Sequence, residues 1–104
     1  MEVQILPLQI TPLALLKIKG IMVEKKIANN EYGLRIGMKG GACSASFLLG
    51  FDKKNESDSF YMLDEINIYI DKKHLMYIIG LEIDYEENET ASGFVFNNRK
   101  NDAP

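Results

Sequence analysis

Cys43 is the first residue that could do chemistry, and it lies in an unusual run, Gly40-Gly41-Ala42-Cys43-Ser44-Ala45. Small neighbours let a metal, a cluster or a partner approach the sulfur closely, and the glycines permit backbone angles closed to other residues. Backbone N–H groups beside the thiol would favour the thiolate, the form that binds metals and attacks electrophiles. The plain alternative is a small residue packed under a turn. A cysteine nucleophile would need a histidine base, and the one histidine, His74, stands about thirty positions later between Lys73 and Leu75. Nothing in that spacing joins the two, and His74 reads as a surface residue at the start of a short helix. The string GMKGGACS lacks the spacing and the terminal lysine-serine of a phosphate-binding loop. Glu82 and Asp84 alternate along one strand; they read as paired acids or, more simply, as the wet face of a sheet.

The elements that must hold Cys43 follow from periodicity. Residues 11–27 form a helix: Thr11 caps it, Pro12 suits its first position, and Ala14, Leu15, Ile18, Ile21 and Met22 share a face. Lys17, Gly20 and Glu24 face water. From Leu34 the period becomes two, with Leu34, Ile36 and Met38 alternating with Arg35, Gly37 and Lys39. Ser46 to Phe51 is the returning strand, so the small-residue run is the tip of a hairpin. Asp52 to Ser59 reads as a solvated loop. Phe60–Leu63 and Ile66–Ile70 form a second hairpin around Asp64-Glu65, with Ile66, Ile68 and Ile70 on one face. Asp71 caps a short helix, Lys72–Ile79, which Gly80 stops. Leu81–Tyr85 and Gly93–Phe96 are the last strands, separated by an acidic turn at 86–89, and 97–104 is a polar, disordered tail. The class is α+β, mainly β, in one domain over 1–104.

Composition narrows the function. The chain has 104 residues, 46% of them apolar, with twelve Lys and Arg against fifteen Asp and Glu, a formal net charge of -3. That balance argues against a nucleic-acid binder, which needs a basic stripe over phosphate. One cysteine excludes an internal disulfide framework and a zinc site of two CxxC pairs. No run approaches a membrane span and the N-terminus lacks a positively charged leader, so the cytoplasm is the expected location.

In order, the pieces resemble the HesB-like family, the A-type carriers of iron–sulfur cluster assembly. The resemblance runs from QIT, opening the first helix, through YGLRIGMKGGACSAS and IYIDKKHLMYIIGLEIDY to SGFVFNN. It implies a compact fold of two small mixed or antiparallel sheets with one long N-terminal helix and one short one, often as a dimer. It implies a non-enzymatic carrier that binds iron or a 2Fe–2S cluster and passes it to apo-proteins. The family's loop cysteine maps onto Cys43, while its C-terminal Cys-Gly-Cys has no counterpart in this sequence. Ala42 and Ala45 stand for family glycines, and Lys72 and Arg99 for prolines. The expected cargo site is therefore Cys43 at a subunit interface or together with a partner, the partners being assembly proteins or apo-acceptors. The competing expectations are a metal-free interaction module that keeps the scaffold, and a thiol redox sensor at Cys43.

Overall fold

The computed structural model describes residues 5–28, 30–39, 46–90 and 92–98; Cys43 and its run 40–45 lie outside them, as do residues 99–104 of the expected tail. The architecture is mainly β, with two mixed sheets of three and four strands, a long N-terminal helix and a short second one. The elements fall into two compact units.

The four-stranded sheet is built within Ala28–Ile79. It comprises β2 (Gly33–Lys39), β3 (Ser46–Asp52), β4 (Asp58–Leu63) and β5 (Ile66–Asp71), in the order β3-β2-β5-β4. β2 pairs antiparallel with β3 from Gly33–Asp52 to Lys39–Ser46, so residues 40–45 connect the last pair of the hairpin. β2 runs parallel to β5, but only Leu34 and Arg35 find partners there, Ile68 and Tyr69. One face carries Leu34, Ile36, Tyr61, Ile66, Ile68 and Ile70, all buried. All but Tyr61 are residues whose two-residue period announced the strands. The β4–β5 hairpin turns on Asp64 and Glu65, whose φ values of 51° and 71° are those of a type I′ turn, whose twist matches that of the strands.

The expected solvated loop at Asp52–Ser59 is in part something else. Asp52 ends β3, and Asp58 and Ser59 are buried residues of β4. Asp52 sits beside Gly33, whereas Asp58 sits beside Asp71, four residues further along β5 than the position level with Gly33. Lys53 to Ser57 therefore pass obliquely over the second face of the sheet, where Arg35 bonds the Lys53 carbonyl, and end in a turn in which Asp58 N–H bonds the Asn55 carbonyl at 3.2 Å. Ser57 accepts a backbone hydrogen bond from Lys72 N–H at 2.9 Å, which ties the end of this strap to the turn after β5. The absence of a side chain at Gly33 makes room for Tyr69 on that face: a Cβ there would lie 2.6 Å from the ring.

The second unit contains Pro7–Ile27 and the chain from Gly80 on. β6 (Leu81–Glu87) pairs antiparallel with β7 (Ser92–Asn98) and parallel with β1 (Gln9–Ile10). β1 was not expected, β6 takes in two residues of the acidic turn, and β7 takes Asn97 and Asn98 from the expected tail. α1 (Pro12–Glu24) begins as read: Thr11 has extended angles and its hydroxyl accepts from Ala14 N–H at 3.1 Å. It ends three residues sooner than expected, because Lys26 turns left-handed at φ 56° and Ile27 N–H bonds back to Met22. The Thr11 hydroxyl in turn donates to Asp84 at 2.7 Å, fixing the start of α1 to β6. No helix among the described residues is long and apolar enough to cross a membrane.

Candidate functional site

Lys39 and Ser46 flank the run that contains Cys43, and side chains reinforce β2 beside its ladder to β3. Two side chains do that, one near each end of the strand.

Near the start, Arg35 lies on the strap-covered face. Its Nη1 and Nη2 donate to the two oxygens of Asp58, each at 2.7 Å, its Nε donates to Asp52 at 2.9 Å, and Nη2 also reaches the Lys53 carbonyl at 2.9 Å. One guanidinium thus gathers β2, the end of β3, the strap and the start of β4. The paired, planar geometry is what makes such bonds strong. The Asp58 carboxylate has no exposed side-chain surface. Burial pushes its carboxyl up, but the bonds from Arg35 and from Asn55 N–H outweigh that and hold it below the ordinary carboxylate range. The hydrogen bond to Asp58 in turn raises Arg35 above its ordinary value. Asp52, mostly exposed, is lowered first by Lys53 N–H and then by Arg35.

Near the end, β2 has lost β5 as a partner. β5 stops at Asp71, whose carboxylate accepts from Lys73 N–H at 3.0 Å and starts a 3-10 turn, Lys72–His74, that leads into α2 (Leu75–Ile78). The expected single short helix is therefore a turn followed by a helix, stopped by Gly80 at φ 86°. The turn brings His74 over Gly37, where a Cβ would lie 3.1 Å from Nδ1. The same nitrogen accepts from Met38 N–H at 3.4 Å, at the long limit of a hydrogen bond. His74 is thus half-buried against β2 at Met38, a residue one short of the strand's end and five before Cys43, rather than on an independent surface. Spacing along the chain held no sign of this; the one local signal is the glycine at 37, which leaves room for the ring.

The other candidates are structural. Asp84 accepts from the Thr11 hydroxyl and from Tyr85 N–H, and these bonds hold its carboxyl below the ordinary range. Glu82 accepts from the Asn97 side chain at 3.1 Å. Both acids fasten the three-stranded sheet. Among the described residues no group of three or more His, Cys, Asp or Glu side chains is placed to hold a metal ion.

Two small mixed sheets with a capped leading helix make a mainly β fold whose chain between β2 and β3 contains Cys43. The fold matches that of SufA of Escherichia coli, a protein involved in biosynthesis of iron–sulfur clusters, with TM-score 0.71, 21% identity, and coverage of 95% of this chain and 89% of that one. It also matches IscA, solved with a 2Fe–2S cluster, with TM-score 0.65, 20% identity, and coverage of 88% and 81%. In sequence, the chain is 43% identical over 91 residues to the mitochondrial iron-sulfur cluster assembly 1 homolog of Dictyostelium discoideum, covering 85% of this chain and 65% of that protein. The profile of the iron-sulphur cluster biosynthesis family matches residues 6–102, and the chain belongs to that family.

Proposed function

We propose that this protein is a divergent A-type member of its family that carries iron or a labile 2Fe–2S cluster through Cys43, without being an enzyme. The reading rests on one observation: a sequence matching the family over residues 6–102 keeps a cysteine in the small-residue connection of the β2–β3 hairpin. The cargo is iron or a cluster, passed on to assembly proteins or apo-acceptors in the cytoplasm.

Coordination arithmetic sets the terms. A 2Fe–2S cluster takes four protein ligands, mostly thiolates. This sequence contains one cysteine, so two copies supply two thiolates. The balance comes from small thiols such as glutathione or from a partner protein, with the cluster held between two subunits or between this chain and its partner. A cluster held this way is weakly retained, which suits transfer more than storage.

The test is anaerobic reconstitution with iron and sulfide, with and without glutathione, following visible absorbance and iron and sulfide per chain. The expected result is about half a cluster per chain, thiol-dependent and absent in Cys43→Ala. Iron binding that survives Cys43→Ala removes Cys43 from the site. No iron under any condition favours the second reading, a metal-free interaction module. That reading draws on the same single cysteine and on the absence of a metal-holding group among the described residues.

A further inference from the structure

The turn after β5 and the end of β2 carry a positive patch in a chain whose formal net charge is -3. Lys72 and Lys73 are exposed, and so is Lys39. His74 brings the three together. Its ring lies over Gly37 and its Nδ1 accepts from Met38 N–H at 3.4 Å, so the turn Lys72–His74 rests on the end of β2. Lys39 is two residues beyond Gly37, on the same face by the two-residue period and about 7 Å further along the strand.

Nearby acids leave this charge standing. Asp71 is engaged by Lys73 N–H at 3.0 Å and by the Ser57 hydroxyl at 3.2 Å. The Lys73 ammonium lies 4.0 Å from it, at the outer limit of an ion pair, and 73% of the Lys73 side chain stays exposed. Asp58, beside Asp71 on β4, is bound to Arg35. The strap brings Glu56, but with it Lys53 and Lys54. Lys39 and Lys72 have no ion-pair partner among the described residues. Beside the cations the surface turns apolar. Residues three and four apart are neighbours on a helical surface, which sets Met76 beside Lys72 and Lys73, and Tyr77 beside Lys73. Met76 is 74% exposed and Tyr77 57%. An exposed apolar patch rimmed by polar groups marks a contact surface.

From this we infer that Lys39, Lys72, Lys73, Met76 and Tyr77 form a docking surface for a short acidic segment of another protein, one whose Asp or Glu residues are interleaved with large apolar side chains. Its carboxylates meet the three ammonium groups, and its apolar side chains cover Met76 and Tyr77. A long polyanion such as a nucleic acid would also meet the net negative charge of the chain, whereas a short segment feels only what lies within a screening length of about 8 Å. A membrane is the poorer fit, because α2 has four residues and cannot present the continuous apolar face of an interfacial helix. Exposed ion pairs contribute little each, so the matched charges speed encounter more than they tighten binding. The complex is transient and sensitive to salt. Lys39 is the last residue before the run that contains Cys43. Under the proposed function, on which this one step rests, the docked protein is the one that exchanges cargo there.

The experiment titrates the isotope-labelled full chain, without iron, with a synthetic peptide in which Glu alternates with Leu and Phe, and follows the amide chemical shifts. Shifts should gather at Lys39 and at Lys72–Tyr77, and binding should weaken as salt is raised. Lys72→Glu/Lys73→Glu, checked for folding by circular dichroism, should bind about tenfold more weakly, and should bind instead the twin peptide with Lys in place of Glu. Tyr77→Ser should weaken binding and leave its salt dependence unchanged. Lys25→Glu/Lys26→Glu, the same charge change at the end of α1, should bind as the wild type does. A wild-type chain that ignores the peptide overturns the inference, as does binding that Lys72→Glu/Lys73→Glu leaves unchanged. So does tighter binding to phosphatidylserine vesicles or to duplex DNA, which would assign the patch to a lipid or a nucleic acid. No iron is present, so loss of docking leaves the cargo reading standing. A chain that never binds iron leaves the docking surface standing and removes only the exchange step.

Discussion

Replacing Asp58 with asparagine should cost more stability than any other single polar change on the four-stranded sheet. The side chain has no exposed surface and accepts three bonds, two from Arg35 at 2.7 Å and one from Asn55 N–H at 2.8 Å. An asparagine in its place would keep the shape but lose the charge and one acceptor, leaving the peripheral Asp52 as the one carboxylate paired with the Arg35 guanidinium, 19% exposed, beside the Lys53 carbonyl. Breaking a buried pair costs about 3–5 kcal/mol, and the surviving Asp52 contact argues for the lower end, about 3 kcal/mol. For a domain of this size that is a fall in Tm of about 12 °C or more. Urea and thermal unfolding by circular dichroism measure it. Asp52→Asn is the control: that carboxylate is 57% exposed, and its loss should cost less than about 1 kcal/mol. Because much of the Asp58→Asn cost is a stranded charge, Arg35→Met/Asp58→Leu should cost less than the two single changes summed. Strict additivity, or an Asp58→Asn cost under about 1 kcal/mol, would refute the account. The pH dependence follows from the same group. Its folded carboxyl lies below the unfolded value of about 3.9, so as pH falls the unfolded chain takes up the proton first. The contribution is complete above that value and is lost as pH drops through the lower, folded one, and Asp58→Asn should flatten the acid side of the stability curve.

Two further outcomes follow from the geometry of β2. Gly33→Ala puts a methyl 2.6 Å from the Tyr69 ring and 2.8 Å from the Asn67 carbonyl, and should lower stability by about 2 kcal/mol in urea; a neutral result would mean that Tyr69 can move aside. His74→Leu removes the acceptor for Met38 N–H and should speed exchange of that amide, whereas His74→Asn, which offers an oxygen near the place of Nδ1, should hold it nearer the wild-type rate; equal exchange in both would remove His74 from the support of β2.

What could be read in the sequence was whatever has a period or a local partner. The alternation at Leu34–Met38 and at Ile66–Ile70 marks strands because each apolar position meets the same face. Thr11 and Asp71 act on amides two or three residues away, so their types and places announce their roles. β1 escaped because two residues, Gln9 and Ile10, carry no period, and their parallel partners lie more than seventy positions on. Polar composition correctly placed Lys53–Ser57 in solvent but missed Asp58, which is buried against an arginine 23 positions earlier. At the candidate site, Cys43 was singled out by its small neighbours and the family motifs around it. His74 was missed because what it holds is a backbone N–H, and a backbone donor leaves no mark on residue identity.

The support of the hairpin follows from a shortfall in the sheet. β2 needs a neighbour on each side, and β5 serves it only at Leu34 and Arg35 before turning away at Asp71. β3 pairs with β2 along its whole length, and on the other edge side chains supplement the short β5 ladder: Arg35 fastens the near end to three other segments, and His74 occupies the amide that β5 leaves free. The β5-side edge of β2 is thus held by a few replaceable groups beside its ladder to β3, and single substitutions at 35, 58 or 74 can loosen that edge. Under the proposed function this matters because one thiolate cannot enclose a cluster. Retention must depend on how well Cys43 is presented to donors from outside the chain, and preorganisation lowers the ordering cost that such shared binding incurs. Weakening the support should therefore reduce cluster loading before it unfolds the protein, with Asp58→Asn and His74→Leu reducing it in proportion to the amide exchange they permit in β2.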